Sequence, residues 1–155
     1  MPSTRYLIFE IERYYFAIPI DAVTEIIRAV RLSTFPEGPA LLQGLLNIGG
    51  DIVPVLDIRK QLSLPERAVS VSDRIILVGV AGYDVAFVAD RIEGVFALEP
   101  GTVHPAEAVY PEMEHYISSV SHYDGRPVLI YQIEKLIPAD AVETITDHLQ
   151  AADRT

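Results

Sequence analysis

Residues Gly44 to Leu62 read GLLNIGGDIVPVLDIRKQL, and this stretch decides the fold. Two apolar runs, Leu45–Ile48 and Ile52–Ile58, flank Gly49-Gly50-Asp51. Glycine reaches positive φ without steric cost, so this break between β-branched runs predicts a tight β-hairpin. Pro54 has no N–H to give a ladder, which places it on an edge strand or at a bulge. Arg59-Lys60-Gln61-Leu62 then predicts a short helical turn closing the unit. A second copy stands near the C-terminus. Setting Gly50 on Gly125 aligns GGDIVPVLDI with DGRPVLIYQI and pairs Val53 with Val128, Val55 with Ile130, Ile58 with Ile133 and Lys60 with Lys135.

The repetition extends upstream. Tyr6–Glu12 and Tyr15–Ile20 predict two strands about a turn at Arg13-Tyr14. Asp21 is an N-cap candidate for a helix over Ala22–Arg28, with Val23, Ile26 and Ile27 along one face. Leu32–Phe35 reads as extended, Pro36–Pro39 as a loop, and Ala40–Gln43 as one helical turn. After a polar connector at Pro65–Ser72, Ile75–Ala81 and Asp84–Ala89 predict another hairpin turning at Gly82-Tyr83. A shift of 69 residues sets Tyr14 on Tyr83, Ala17 on Ala86, Asp21 on Asp90, Val23 on Ile92 and Ile26 on Val95. The central hairpin recurs at a shift of 75, so the second copy carries a six-residue insertion, placed within Pro100–Glu114. Many short strands broken by Gly and Pro, without long crossover helices, predict barrels and not a parallel sheet. The expected organisation is one domain over 1–155, with similar β-units at 5–65 and 73–138. In the tail, 139–155, Asp140–Ala152 predicts a helix whose Val142, Ile145 and Leu149 stripe docks on its own barrel.

Composition narrows the function classes. The 155 residues are 50% hydrophobic, which supports a substantial core. Twenty-two acidic against 12 basic residues give a net charge of -10, and no Lys/Arg run offsets it, so no nucleic-acid groove is expected. The chain has no cysteine, hence no disulfide framework, zinc-thiolate site or thiol nucleophile, in keeping with a reducing cytoplasm. Glu10, Glu12 and Arg13 interrupt what a signal peptide would need as an apolar core. The strongest apolar run, Ile75–Ala81, is far short of the ~20 residues of a membrane helix, so no direct membrane insertion is expected.

No reactive constellation emerges. Ser118, Ser119 and Ser121 lie in a predicted strand with His122, where neighbours point to opposite faces. The histidines at 104, 115, 122 and 148 make no H-x-x-x-H pair, and Glu112, Glu114 and His115 read as a solvated patch. No phosphate-binding glycine loop occurs. Val53-Pro-Val-Leu-Asp57 resembles the strand-end phosphoacceptor of a response-regulator receiver, which makes Asp57 the enzyme-like alternative. That chemistry also needs an acidic pair after the first strand and βα alternation, and neither is present. The expectation is a binding module with no catalytic residue, no cofactor and no metal.

The residues also resemble a known family. GLLNIGGDIVPVLDIRKQL is similar to the signature segment of the CheW-like domain, G-[VI]-x-N-[LI]-R-G-x-[IV]-[VL]-P-[VI]-x-D-[LI]-R. YLIFEIERYYFAIPIDAVTEIIR resembles its opening hairpin and V-x-E-I segment. RIILVGVAGYDVAFVADRIEGVFAL resembles its third hairpin, and YISSVSHYDGRPVLIYQIEKLI its closing strands. The resemblance covers roughly residues 5–138. It implies an all-β fold with a few short helices, built as two SH3-like five-stranded β-barrels; whether each barrel equals one repeat is left open. It further implies a cytoplasmic, non-catalytic adaptor coupling chemoreceptor tips to the regulatory domain of a CheA-type histidine kinase. The family's receptor-contact positions fall on Val23, Glu25 and Ile26, with Ile92 and Val95 across a groove; the alternative for the four aliphatics is plain core. One departure stands out: Gly49 occupies the place of an arginine associated with partner binding. An adapted partner, a divergent system controlling something other than flagellar motility, or a charge supplied by Arg59 would each account for it; a CheW-like interaction module in a non-chemotaxis system is the alternative function that shares the fold.

Overall fold

The computed structural model describes residues 5–34, 40–98 and 113–137. β-Branched and aromatic residues fill the short runs between turn residues, and these runs become strands. β1 (Arg5–Ile11) and β2 (Tyr14–Pro19) form a hairpin, followed by a 3-10 turn at Ile20–Ala22 and β3 (Val23–Arg28). β4 (Leu42–Ile48) and β5 (Asp51–Leu56) are the central hairpin, closed by the single-turn helix α1 (Ile58–Gln61). The second half repeats the order with β6 (Arg74–Val80), β7 (Tyr83–Ala89), β8 (Arg91–Ala97), β9 (Ile117–Tyr123) and β10 (Arg126–Tyr131), ending in a 3-10 turn at Ile133–Lys135. Each hairpin turns on two residues of positive φ: Glu12 and Arg13, Gly49 and Gly50, Ala81 and Gly82, Asp124 and Gly125. That is the type I′ pattern, whose twist matches that of the flanking strands.

The strands make two five-stranded sheets, sheet 1 in the order β8-β1-β2-β10-β9 and sheet 2 in the order β3-β6-β7-β5-β4. Replacing each strand by its repeat partner turns one order into the other. Each sheet therefore takes strands from both repeats: β3 crosses to pair with β6, and β8 crosses to pair with β1. All neighbours are antiparallel except β2–β10 and β5–β7. Smaller details repeat too. Lys60 Nζ donates to the Ala40 carbonyl and Lys135 Nζ to that of His115, while the Asp57 N–H donates to Leu41 and the Gln132 N–H to Tyr116.

Period-two alternation divides the interior. Leu7, Phe9, Phe16 and Ile18 of sheet 1 face Ile76, Val78, Val85 and Phe87 of sheet 2 in a central cluster, where the Phe9 and Phe87 rings lie 5.2 Å apart. On its other face sheet 1 folds around Tyr6, Ile8, Tyr15, Ala17, Val128 and Ile130; sheet 2 does so around Leu46, Val53, Val55, Ile75, Leu77 and Ala86. The chain leaving β3 also reaches the opposite edge of sheet 2, where Ser33 and Leu45 exchange two 2.9 Å hydrogen bonds. Gly44 permits this approach, since a Cβ there would lie 2.8 Å from Leu32 Cβ. The closing turns of the two repeats meet inside: Gln61 Nε2 donates to the Leu136 carbonyl at 2.6 Å, and the Tyr131 hydroxyl donates to Gln61 Oε1 at 2.5 Å. Burial, with Tyr116 nearby, pushes the Tyr131 phenol up, which keeps this donor protonated.

Three expectations are corrected. Ala22–Arg28 is not a helix: residues 23–28 are the strand β3, in which Val23, Thr24, Ile26 and Ile27 are β-branched and favour extended backbone. Ala40–Gln43 is not a helical turn, because β4 already begins at Leu42. Pro54 lies on neither an edge nor a bulge, since β5 sits between β7 and β4. Leu45, opposite Pro54, spends its own N–H and carbonyl on Ser33, so Pro54 occupies a non-hydrogen-bonded position toward β4. Its missing donor faces β7, where the ladder is the single pair Val55–Ala86. The predicted helix Asp140–Ala152, the loop Pro36–Pro39 and most of the Pro100–Glu114 insertion lie outside the described residues.

Candidate functional site

The repeat supplies two equivalent sheet edges, β3 and β8, and a bulge shapes each. In β3, Val23 stands opposite Val78 and Glu25 opposite Leu77, which leaves Thr24 as the extra residue. In β8, Ile92 stands opposite Phe9 and Gly94 opposite Ile8, which leaves Glu93, 69 residues on, as the extra residue. A bulge resets the alternation by one position. Val23 and Ile26 consequently share a face with Val78 and Ile76, and Ile92 and Val95 share one with Phe9 and Leu7. Those partners belong to the central cluster. The apolar face common to both sheets thus runs out to solvent along two edges.

Burial grades along each edge. Val23 and Ile92 are half-buried against the central cluster. One turn of the pleat further out, Ile26 is 37% and Val95 44% exposed. Glu25 is exposed and lies opposite Leu77, on the other face of sheet 2. The 3-10 turn at Ile20–Ala22 touches both β1 and β6, the strands that carry β8 and β3.

Gly49 and Arg59 are not brought together. Gly49 is exposed at the tip of the central hairpin with φ +58° and no atom within 4 Å of a hypothetical Cβ. Arg59 follows the opposite end of β5, is only 7% exposed, and donates to Glu12, Asp90 and the Pro65 carbonyl. Its charge is spent inside the chain, so it does not replace an arginine at the hairpin tip. This correction brings forward residues that sequence reasoning did not single out as a group, Glu12, Arg67 and Asp73. No local pattern marks them, because Arg59 meets Glu12 and Asp90 across 47 and 31 residues.

Burial alone would raise the Asp90 carboxyl, but the Glu12 amide and the Arg59 and Arg67 guanidiniums outweigh it and hold the group below its ordinary value. Asp57 acts as an N-cap, its carboxylate accepting the Lys60 N–H at 3.1 Å. With antiparallel hairpins on either side in place of a wound parallel sheet, the receiver frame for Asp57 is lost. Among the described residues no three His, Asp or Glu side chains are grouped to hold a metal ion.

Comparison with known proteins agrees with this geometry. The family model for the CheW-like domain matches residues 5–141. Chemotaxis protein CheW of Bacillus subtilis (strain 168) is 22% identical over 139 residues, 89% of each chain. Protein FrzA of Myxococcus xanthus is 29% identical over 105 residues, 67% of this chain and 65% of that one. The crystal structure of the scaffolding protein TtCheW from Thermoanaerobacter tengcongensis has the same fold, with a TM-score of 0.79 at 21% identity over 90% of this chain and 91% of its own. A family match that spans both repeats, together with two sheets of matching architecture, leads to one conclusion: the chain belongs to the CheW-like domain family.

Proposed function

We propose that this protein is a non-catalytic cytoplasmic adaptor that couples chemoreceptor tips to the regulatory domain of a CheA-type histidine kinase. The supporting observation is the pair of repeat-related edges, on which Ile26 and Val95 carry the face of the central cluster into solvent. A receptor tip is helical, and an amphipathic helix can lay its apolar face along such a surface. Val23 and Ile92 form the floor of that surface, while Glu25, exposed on the opposite face of the same edge strand, lies outside it. No helix among the described residues is long and apolar enough to cross a membrane. Isothermal titration against a receptor-tip coiled-coil fragment, and separately against the kinase regulatory domain, tests the proposal. No binding to either at about ten times a micromolar working range would overturn it.

Gly49 supports a second reading, that of a CheW-like interaction module in a system outside chemotaxis. The exposed hairpin tip lacks the charge, donors and long stem that arginine would present. Binding to the kinase domain of a chemotaxis system by the native chain would count against this second reading.

A further inference from the structure

Asp90 marks the point where the chain leaves sheet 2 at Ala89 and enters sheet 1 at Arg91. Its carboxylate accepts the Glu12 N–H at 2.9 Å, Arg59 Nη2 at 2.7 and 2.8 Å, and Arg67 Nη2 at 2.6 Å. Its own N–H donates to the Glu10 carbonyl at 2.9 Å. Arg59 also donates to Glu12 Oε1 at 2.5 Å, and Arg67 to the buried Asp73 at 2.7 and 2.9 Å. Asp73 in turn accepts the Ser70 N–H at 2.8 Å. Three carboxylates and two guanidiniums thus tie together the β1–β2 turn, α1, the connector before β6 and the root of β8.

The equivalent place before β3 carries none of this. The 69-residue shift puts Asp21 in the place of Asp90 and Ala81 in that of Glu12; the 75-residue shift puts Glu134 in the place of Arg59. Asp21 and Glu134 are exposed, and neither makes an ion pair among the described residues. A repeat that matches down to its bulges is therefore broken at the roots of its two edges.

We infer that Asp90 is a positioning residue: gripped by Arg59 and Arg67, it anchors β8 as the fixed wall of the partner surface and leaves β3 as the wall that adjusts. The link to a partner rests on the adaptor reading above; the anchoring does not. The physical reason is that carboxylate–guanidinium bonds, partly withdrawn from water, resist local opening more than the backbone ladder of an edge strand does alone.

Hydrogen exchange on the full chain without partner tests the anchoring. Segments covering β8 exchange at least about tenfold more slowly than those covering β3. Asp90→Asn raises β8 exchange by about the same factor while β6 and β7 stay protected, and Asp21→Asn leaves β3 as it was. Should Asp90→Asn loosen the whole molecule, Arg67→Ala decides on an Asp73→Asn background, which leaves no buried carboxylate without its guanidinium; Arg67→Lys restores only part of the protection, since one ammonium cannot repeat the two-pronged bond. Equal exchange in β3 and β8, or β8 exchange unmoved by Arg67→Ala on that background, overturns the inference whatever the partner. In a second arm, affinity for a receptor-tip fragment falls about fivefold in Arg67→Ala on the same background, through lost preorganisation. Undiminished affinity there refutes the positioning role. Failure of the native chain to bind the fragment, with the exchange contrast intact, refutes the adaptor reading and removes the role of Asp90 in partner binding, while β8 remains the anchored edge.

Discussion

Val95→Asp separates an exposed contact surface from a core edge. Val95 stands opposite Leu7 on the face of the central cluster and is 44% exposed. That part of the side chain already meets water, so the fold loses only the buried remainder, about 0.8–1.7 kcal/mol, or a Tm shift of about 2–6 °C for a chain of this size. A docked helix would cover the exposed share. Full burial of a valine is worth about 1.5–3 kcal/mol, so that share contributes about 0.7–1.3 kcal/mol. A carboxylate placed in the same contact adds at least about 1 kcal/mol of uncompensated desolvation. The sum, about 2 kcal/mol, weakens binding at least about 30-fold. Val23→Asp is the companion. Val23 packs on the central cluster, so it loses about 2 kcal/mol of stability and lowers Tm by about 4–8 °C before any partner is added. Titration calorimetry with a receptor-tip fragment, run beside thermal unfolding, reads both effects. A Val95→Asp protein with native Tm and native affinity would refute the reasoning.

Three further outcomes can be checked independently. Gly44→Ala puts a Cβ 2.8 Å from Leu32 Cβ and 3.0 Å from the Ser33 carbonyl oxygen, so it destabilises by about 1–3 kcal/mol in urea unfolding; an unchanged midpoint would mean that the Ser33 segment moves aside freely. Gly49→Arg enters an open turn position whose backbone Glu12, Ala81 and Asp124 already adopt with side chains, so it folds at a cost of about 1 kcal/mol. Its affinity for a conventional kinase regulatory domain rises; unchanged or lower affinity would make the glycine an adaptation. The Asp90 carboxyl, held low in the fold, favours its anion there, so its contribution is present above the unfolded value of about 3.9 and is lost as pH falls through the folded value. Glu12, Arg59 and Arg67 face it, with Asp73 behind Arg67. The stability deficit of Asp90→Asn is therefore largest near neutrality and shrinks below about pH 4; a deficit constant down to acid unfolding would show that the carboxylate is not held.

Hairpins announce themselves locally. Gly49-Gly50, Ala81-Gly82 and Asp124-Gly125 supply positive φ between apolar runs, and the strands on either side follow. β3 was hidden by its bulge. The extra residue Thr24 places Val23 and Ile26 on one face three positions apart, a spacing that a straight strand would not give and a helix would. Asp21 strengthened the helical reading by resembling an N-cap. The crossing of β3 to β6 and of β8 to β1 was illegible for another reason: alternation fixes which side chains face inward but not which strand lies alongside. Arg59 sits in a motif that reads as a surface turn, and only the fold brings Glu12 and Asp90 to it. The candidate contact residues were legible as apolar positions; their grading from floor to exposed edge required the sheets.

The exchange of strands carries a consequence for how such a protein can respond to partners. Sheet 1 needs β8, β9 and β10 from the second repeat, and sheet 2 needs β3, β4 and β5 from the first. Neither sheet can be completed by one repeat, and both press on the same central cluster. Load applied at β3 passes through β6 into sheet 2, and load at β8 through β1 into sheet 1. Each path then ends in the shared interior, so among the described residues the two repeats cannot part without breaking strand pairs. Adjustment has to occur at the edges themselves, where backbone pairs on one side only. With the root of β8 tied down by Asp90 and the root of β3 without ionic ties among the described residues, the sequence difference between Asp90 and Asp21 surroundings decides which edge yields.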